Sequence, residues 1–226
     1  MSTLHTDRDY ESDLRKLREQ LLLMAGRVEE MIGESVRALV DRDAALARKT
    51  IDSDHKVNRA ELAVDEQCLL ILVKRHPMAS DLRFVTRALK MVTDLERIGD
   101  LAVNICERAI DLAPLPLLKP YEDIPRMSDV VQSMVRDAID AFVSSDSDKA
   151  EEIMQRDDEV DELYHQVFRE ILALMIQDPR VVECGVHLQS VAKYLERIGD
   201  HATNLAEQVI FMVRAKDVRH AGKLGG

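Results

Sequence analysis

Apolar residues recur at intervals of three and four through most of the chain, a pattern typical of amphipathic helices. The first such segment covers residues 7–41, and its apolar seam is suited to packing in a helical bundle. The second covers residues 43–74, with Asp43 as a predicted N-cap. The third covers residues 78–112, and Pro77 is predicted to occupy its first position, where proline is well tolerated.

The third segment is apolar over a wide arc, because two neighbouring seams run along it. A helix with so wide an apolar surface packs against two neighbours, so the three segments predict a three-helix bundle. One seam contains Leu82, Val85, Leu89, Val92, Val103 and Ile110, and the other contains Phe84, Ala88, Met91, Leu95, Ile98, Ala102, Ile105 and Ala109.

A proline-rich segment divides the chain into two similar halves. Residues 113–125 hold four of the six prolines, so no helix is expected to cross them. Beyond this segment the three-helix pattern starts again, with helices predicted over residues 127–143, 147–177 and 180–213. The sequence therefore predicts an all-α fold made of two tandem three-helix bundles related by an internal repeat.

The turns of the second half match those of the first. Ser144-Ser145-Asp146 corresponds to Asp41-Arg42-Asp43 at an offset of 103 residues. Asp178 and Pro179 supply an N-cap and a first-turn proline for the last helix. The predicted units are a first bundle at 7–112, a linker at 113–125, a second bundle at 126–216 and a flexible tail at 217–226.

The composition of the chain limits the kinds of partner that it is expected to bind and indicates its cellular compartment. The chain has 31 Lys and Arg against 42 Asp and Glu, a net charge of −11, which argues against binding to a nucleic-acid backbone. No apolar run approaches the roughly 20 residues of a membrane span, and the N-terminus does not resemble a signal peptide. Three cysteines without paired spacing indicate buried, reduced thiols in a cytoplasmic protein.

The motif Leu-Glu-Arg-Ile-Gly-Asp occurs twice, at residues 95–100 and 195–200. On a helix its acidic residues and a following Asn fall within an arc of roughly 80°. Carboxylates at i and i+4 repel each other, so a repeated stripe of this kind indicates a cation ligand. The oxygen-bearing residues of the two stripes are Glu96, Asp100 and Asn104, and Glu196, Asp200 and Asn204.

A second acidic ladder lies on the second helix of each half. In a three-helix bundle the second and third helices run antiparallel, so the two ladders can face each other across one groove. In the second half, Tyr164 stands where the first half has Glu61. The ladder residues are Asp54, Asn58 and Glu61 in the first half, and Asp157 and Asp161 in the second.

Such a groove offers only oxygen ligands, which favour hard cations such as Mg²⁺, Mn²⁺, Ca²⁺ or iron and make zinc a poorer candidate. The alternative is that the ladders are solvated helix faces that only confer solubility. Gly99 and Gly199 permit either close helix packing or backbone clearance beside the groove, and the sequence does not separate these. Arg97 and Arg197 are expected to pair with Asp100 and Asp200 on the solvent side.

The sequence contains few signs of a catalytic site. Glu162 and His165 spell the Glu-x-x-His of di-iron helical bundles, but those sites use the motif twice and this chain has it once. There is no Gly-rich phosphate loop and no nucleophile motif. The chain is therefore expected not to be an enzyme, and a carboxylate-bridged metalloenzyme is the main alternative.

The doubled motif, with three helices in each half, resembles the PhoU family of phosphate-specific transport system accessory proteins. The segment Pro77-Met78-Ala79-Ser80-Asp81-Leu82-Arg83 is similar to the family's Pro-x-Ala-x-Asp-Leu-Arg, and Asp54-x-x-Val57-Asn58-x-x-Glu61 also matches. The second half departs from this pattern at residues 181–185 and at Tyr164. The resemblance implies multinuclear metal clusters of iron, Mg²⁺ or Mn²⁺ on the two sets of acidic residues, with fewer ions or a different ion in the second half.

The resemblance also implies a regulatory role. Members of the family restrain the phosphate-starvation response by contacting a membrane sensor histidine kinase and the ATP-binding subunit of the phosphate ABC transporter. They are cytoplasmic, reach the inner face of the membrane through these partners, and commonly form homodimers.

Overall fold

Eight α-helices make up almost all of the computed structural model, which describes residues 3–118 and 122–216. The expected flexible tail at 217–226 and residues 119–121 of the expected linker lie outside this range. In the first half the helices are α1 (Thr3–Asp41), α2 (Ala44–Ser53), α3 (His55–Arg75) and α4 (Ala79–Leu112). In the second half they are α5 (Asp123–Ser144), α6 (Ser147–Gln155), α7 (Asp157–Gln177) and α8 (Val182–Arg214).

The turn after the first helix is built in the same way in both halves. Arg42 and Ser145 adopt the left-handed conformation, each with φ of 57°. Asp43 then caps α2, its Oδ1 accepting hydrogen bonds from the backbone N–H of Ala45 and of Leu46 at 2.9 Å. Asp146 caps α6 in the same manner. The predicted N-cap at Asp43 and the predicted correspondence of the two turns are thus confirmed.

The middle helix of each half is broken, where the sequence predicted one continuous helix. At Asp54 the backbone N–H bonds to the carbonyl of Ile51, three residues back, and at Arg156 it bonds to that of Ile153. These 3₁₀-type bonds tighten the helix for one turn. No proline or glycine marks either position. The periodicity therefore gave no signal of the break, which lies beside the acidic ladder in both halves.

Three helix starts differ from the prediction. Pro77 precedes α4, which begins at Ala79 because His76 is left-handed and Met78 is extended. Helix α5 begins at Asp123 within the expected linker, because Pro125 lies in the first turn, where its missing N–H is not needed. Asp178 does accept a bond from the Arg180 N–H, but it caps a short 3₁₀ turn that precedes α8.

The two bundles are joined along their third helices. Helices α4 and α8 pack antiparallel: Arg83 Nε donates to the Met212 carbonyl at 2.9 Å and Arg87 Nη1 donates to Gln208 Oε1 at 3.0 Å. On the other side α1 packs against both α4 and α5, and α5 packs against α8. One continuous apolar core therefore links the two repeats, so α4 has more neighbours than the two that its seams predicted.

The apolar seams are buried largely as expected. The seam of α1 from Leu14 to Leu39 is buried, as is the second predicted seam of α4 from Phe84 to Ala109. Leu82, predicted in the other seam, is 41% exposed because it lies in the first turn of α4 at the end of the bundle. All three cysteines are buried and free, as predicted. Within the described residues no helix is long and apolar enough to cross a membrane.

Candidate functional site

The first groove lies between α3 and α4 and contains Asp54, Asn58, Glu61, Glu96 and Asp100. Val57 is the buried residue of α3 that faces Gly99 of α4: a Cβ on Gly99 would lie 3.4 Å from Val57 Cγ1 and 3.6 Å from Asp54 Oδ1. The motif glycine therefore brings the two helices together and also places a carboxylate against the α4 backbone. Both interpretations of Gly99 describe the same contact.

One oxygen of Asp54 lacks a hydrogen-bond partner. Asn58 Nδ2 donates to Asp54 Oδ2 at 2.8 Å. The other oxygen, Oδ1, is buried and accepts no hydrogen bond from any described residue. A buried carboxylate oxygen without a donor is costly, and a bound cation would remove that cost.

Burial and mutual repulsion raise the pKa of three carboxyl groups of the first groove, those of Asp54, Glu61 and Glu96. Burial raises the pKa of Glu96, and Asp100, Glu61 and Asp54 raise it further, while Arg97 opposes them. Burial is also the main cause of the raised pKa of Asp54 and of Glu61, and Asp100 contributes to both. The ladders of α3 and α4 therefore face each other closely enough to interact, as the sequence predicted.

The second groove lies between α7 and α8 and repeats this arrangement with Asp157, Asp161, Glu196 and Asp200. A Cβ on Gly199 would lie 3.5 Å from Asp157 Oδ1, as on Gly99 in the first groove. Burial, followed by the charges of Asp200 and Asp161, raises the pKa of Asp157 to about 6. Burial and Glu196 raise the pKa of Asp200 in turn.

The second groove carries its own cation. Lys193 Nζ lies 2.5 Å from Glu196 Oε2 and 5.3 Å from the centre of the Tyr164 ring. The first groove has Thr93 and Glu61 at these two positions. Asp161 stands where the first groove has Asn58, so both grooves hold four carboxylates, and the second differs by the ammonium of Lys193, which lowers its net negative charge.

The side chains are not already arranged around an ion. Arg97 lies 3.4 Å from Asp100 and 3.5 Å from Glu96, an ion pair on the solvent side as expected, whereas Arg197 forms no ion pair with Asp200 among the described residues. Within residues 8–118 and 122–216, no three His, Cys, Asp or Glu side chains converge as metal ligands. The carboxylate and amide oxygens of the grooves, together with the unpaired Asp54 oxygen, fit a hard cation. For such a cation to bind, the side chains of Arg97 and Lys193 would first have to move away from the carboxylates.

The two motif asparagines are placed differently. Asn104 is half-buried one turn beyond Asp100 on α4. Asn204 is exposed and lines a cavity of about 380 Å³ between α4 and α8, together with Lys90 and Asp94. The structure therefore places Asn204 beside the joint between the repeats.

Sequence reasoning missed one link between the halves. His201 Nδ1 lies 2.9 Å from Asp94 Oδ1 across the α4–α8 joint, and both side chains are largely buried. The matching positions in the repeat are Leu101 and Tyr194, so the internal repeat carries no trace of this pair. Only the antiparallel packing of α4 against α8 reveals it.

The Glu-x-x-His motif is not part of either groove. Glu162 and His165 are both exposed on α7, whereas di-iron sites are built inside a bundle core.

Replacing Gly26 or Gly99 by Ala distinguishes the effect of helix propensity on stability from the effect of contact between helices. Gly26→Ala in α1 is expected to stabilise the protein by about 0.5–1 kcal/mol, because its Cβ would meet no atom within 4 Å. Gly99→Ala is expected to gain less, because its Cβ would lie 3.4 Å from Val57 Cγ1, at the lower limit of ordinary contact, and would further desolvate the Asp54 carboxylate. Urea unfolding of both variants measures the difference. Equal stabilisation would contradict the close approach of α3 to α4.

Asp157→Asn is expected to stabilise the metal-free protein at neutral pH by about 1–2 kcal/mol, after screening by solvent. In the unfolded chain the pKa of Asp is about 3.9, whereas in the fold the pKa of Asp157 is about 6. Ionised Asp157 therefore destabilises the fold, in full above about pH 6 and not at all below about pH 4.

Thermal unfolding in a chelator across this pH range measures the effect. The advantage of the Asn variant over wild type should shrink as the pH is lowered and be absent at about pH 4. Asp158→Asn, at the exposed neighbouring position, is the control and should show no such trend. If the Asn variant were more stable than wild type by the same amount at every pH, this would contradict the burial of an ionised Asp157.

Taken together, fold and site define an all-helical repeat protein with one acidic groove in each repeat. A family model described as "PhoU domain" matches the chain twice, over residues 21–109 and 124–209. The chain therefore belongs to the PhoU family, and the resemblance noted in the sequence is confirmed.

Relatives of known sequence support this assignment over nearly the whole chain. The chain is 40% identical to the phosphate-specific transport system accessory protein PhoU homolog of Pseudomonas putida, covering 97% of this chain and 86% of that protein. It is also 40% identical to the homolog of Aquifex aeolicus, covering 92% and 94% of the two chains.

Solved structures share the fold. The crystal structure of PhoU from Pseudomonas aeruginosa superposes with a TM-score of 0.87 at 39% identity, covering 92% of this chain and 100% of that one. The structure of the phosphate transport system regulatory protein PhoU from Streptococcus pneumoniae superposes with a TM-score of 0.83 at 27% identity, covering 92% and 99%.

Proposed function

We propose that this protein is an accessory regulator of phosphate uptake that restrains the phosphate-starvation response when phosphate is plentiful. Membership of the PhoU family supports this role, since relatives along the whole chain are named as accessory proteins of the phosphate-specific transport system. Its proposed partners are a sensor histidine kinase and the ATP-binding subunit of the phosphate ABC transporter. It acts in the cytoplasm, as a homodimer, and reaches the membrane through these partners.

The regulator binds hard cations in its two grooves. The observation that supports this proposal is that an acidic groove occurs in each repeat. In the first groove, one oxygen of Asp54 is buried without a hydrogen-bond donor. Mg²⁺, Mn²⁺ or iron would neutralise carboxylates that now repel each other. Glu96, Asp100, Asp54 and Glu61 would hold the ions of the first groove, and Asp157, Asp161, Glu196 and Asp200 those of the second. Asn58 and Asn104 would contribute amide oxygens to the first groove, and Asn204 would do so in the second by turning away from the α4–α8 cavity.

The role of the ions is to fix a surface for partners. With a cation bound, Arg97 and Lys193 are released from their acidic neighbours and point to solvent, which changes the charge pattern along the outer faces of α4 and α8. The ions supply charge and rigidity, and no chemical step is assigned to them. The protein is therefore an adaptor and not an enzyme.

Deletion of the gene tests the regulatory role. Cells that lack it are expected to express a phosphate-starvation reporter even in high phosphate, and a plasmid copy should restore repression. A deletion strain that keeps the reporter silent in high phosphate would refute the proposed role.

A further inference from the structure

The outer faces of the two repeats correspond residue by residue. At an offset of 103, Asp43 matches Asp146, and both cap a helix. At the same offset, Val57 matches Val160, and both are buried. The segment α2–α3 can therefore be compared directly with α6–α7.

The exposed charges on these matching faces are reversed in sign. Four cations of the first repeat are replaced by four glutamates in the second, while the matching positions between them stay buried, with Thr50 matching Ile153 and Val57 matching Val160. The reversal is therefore not required by the fold. The matched sets are Arg48, Lys49, Lys56 and Arg59 in the first repeat, and Glu151, Glu152, Glu159 and Glu162 in the second.

A cavity lies next to the basic residues of the first repeat. It has a volume of about 320 Å³, lies between α1 and the α2–α3 junction, and is lined by Arg27, Lys49, Lys56, Ser53, Met31, Glu30 and Glu34. Arg27 matches Val130 in the second repeat, so it is a fifth cation peculiar to the first. We call Arg27, Arg48, Lys49, Lys56 and Arg59 the basic face.

Little inside the protein neutralises this face. Glu34 is already satisfied, accepting from Thr50 Oγ1 at 3.0 Å and lying 3.5 Å from Lys49 Nζ. Among the described residues, Lys56 and Arg59 form no ion pair. Lys56 and Arg59 are therefore available to a partner, whereas Glu34 offsets the charge of Lys49 and Glu30 also lines the cavity.

The matching place in the second repeat is closed. Arg156 stands where the first repeat has Ser53, and its guanidinium donates to Asp137 Oδ2 at 2.8 Å and to the Ser133 hydroxyl. Glu159 pairs with Arg126 at 3.1 Å, and Glu151 pairs with Arg214 at 2.5 Å. Two of the four glutamates of the second repeat are thus paired internally and the cavity is filled by Arg156, whereas the first repeat leaves an open basic cavity.

We propose that the basic face is a docking surface for an acidic segment of a partner protein. A short segment can place carboxylates in the cavity and along α2–α3 while staying clear of the acidic groove. A membrane or a nucleic-acid duplex is a broad anionic surface, which would also meet the repulsion of a chain with net charge −11. The charge reversal concerns neither metal ligands nor phosphate signalling, so this inference stands apart from the proposed function.

The test is an NMR titration of the ¹⁵N-labelled full chain with an oligoglutamate peptide of about ten residues at low salt. Saturable shift changes are expected in residues 44–62 and around Arg27. Lys56→Glu combined with Arg59→Glu should weaken binding by about tenfold or more. The matched control, Glu159→Lys combined with Glu162→Lys, should leave binding at the basic face unchanged.

Circular dichroism checks that both double variants are folded, and Lys56→Ala with Arg59→Ala provides a milder change that should give an intermediate loss. Absence of saturable binding, shift changes away from the basic face, or equal affinity of the reversed variant would each overturn the proposal. So would tighter binding of phosphatidylglycerol vesicles or duplex DNA to the same face than of the peptide, because the partner would then not be an acidic protein.

Discussion

Replacing Glu96 and Asp100 together by Ala is expected to remove most Mn²⁺ binding from the first groove. Both side chains face the α3 ladder across it, because Glu61 and Asp54 raise the pKa of Glu96, and Asp100 raises the pKa of Glu61. Loss of two ligands leaves too few carboxylates to offset dehydration of the ion. The affinity measured by isothermal titration calorimetry should fall by about a hundredfold, since even the loss of an outer partner costs about ten- to a hundredfold.

Glu107→Ala is the matched control for this variant. Glu107 lies on the same helix, is exposed and lies 3.6 Å from Arg108, so its removal should leave Mn²⁺ affinity unchanged. Glu196→Ala with Asp200→Ala should cause a smaller loss, because Lys193 and Tyr164 already limit the second groove. Wild-type metal content in the Glu96/Asp100 variant would show that the ions bind elsewhere or not at all.

Phe142→Ala is expected to lower the free energy of unfolding by about 3–5 kcal/mol. Phe142 of the second repeat is fully buried and stacks on Phe84 of the first, with ring centroids 4.8 Å apart. On α1, the Arg18 guanidinium lies 4.6 Å from the Phe84 ring centre. The substitution therefore leaves a cavity where the two repeats share one core.

Urea unfolding monitored by circular dichroism measures this loss. Because the core is continuous, the variant should still unfold in one transition at a lower midpoint. Phe168→Ala, 37% exposed on α7, is the control and should cost no more than about 1 kcal/mol. A loss no greater than that of the control would contradict the shared core.

Local sequence signals predicted the individual helices well. The seam of α1 at three- and four-residue spacing is buried throughout, and Asp43 caps α2 as its position before an apolar repeat predicted. Such features depend on residues close together in the chain, so one sequence is sufficient to find them. The repeated motif likewise predicted that acidic ladders on neighbouring helices would face each other.

Features that depend on distant contacts were not predictable. The breaks at Asp54 and Arg156 occur within segments of continuous helical periodicity, where the approach of the third helix, permitted by Gly99 and Gly199, accompanies the local change. Tertiary contacts override helix propensity at such positions. The repeat revealed two halves but not their antiparallel joint, so the Asp94–His201 pair could not be foreseen.

Anomalous diffraction from crystals soaked in Mn²⁺ is the most direct test of the acidic grooves as cation sites. Peaks are expected between Asp54, Glu96 and Asp100, and weaker peaks between Asp157 and Asp200, with Arg97 and Lys193 turned away from their carboxylates. Absence of peaks in both grooves, with Arg97 still paired to Asp100, would contradict cation binding there.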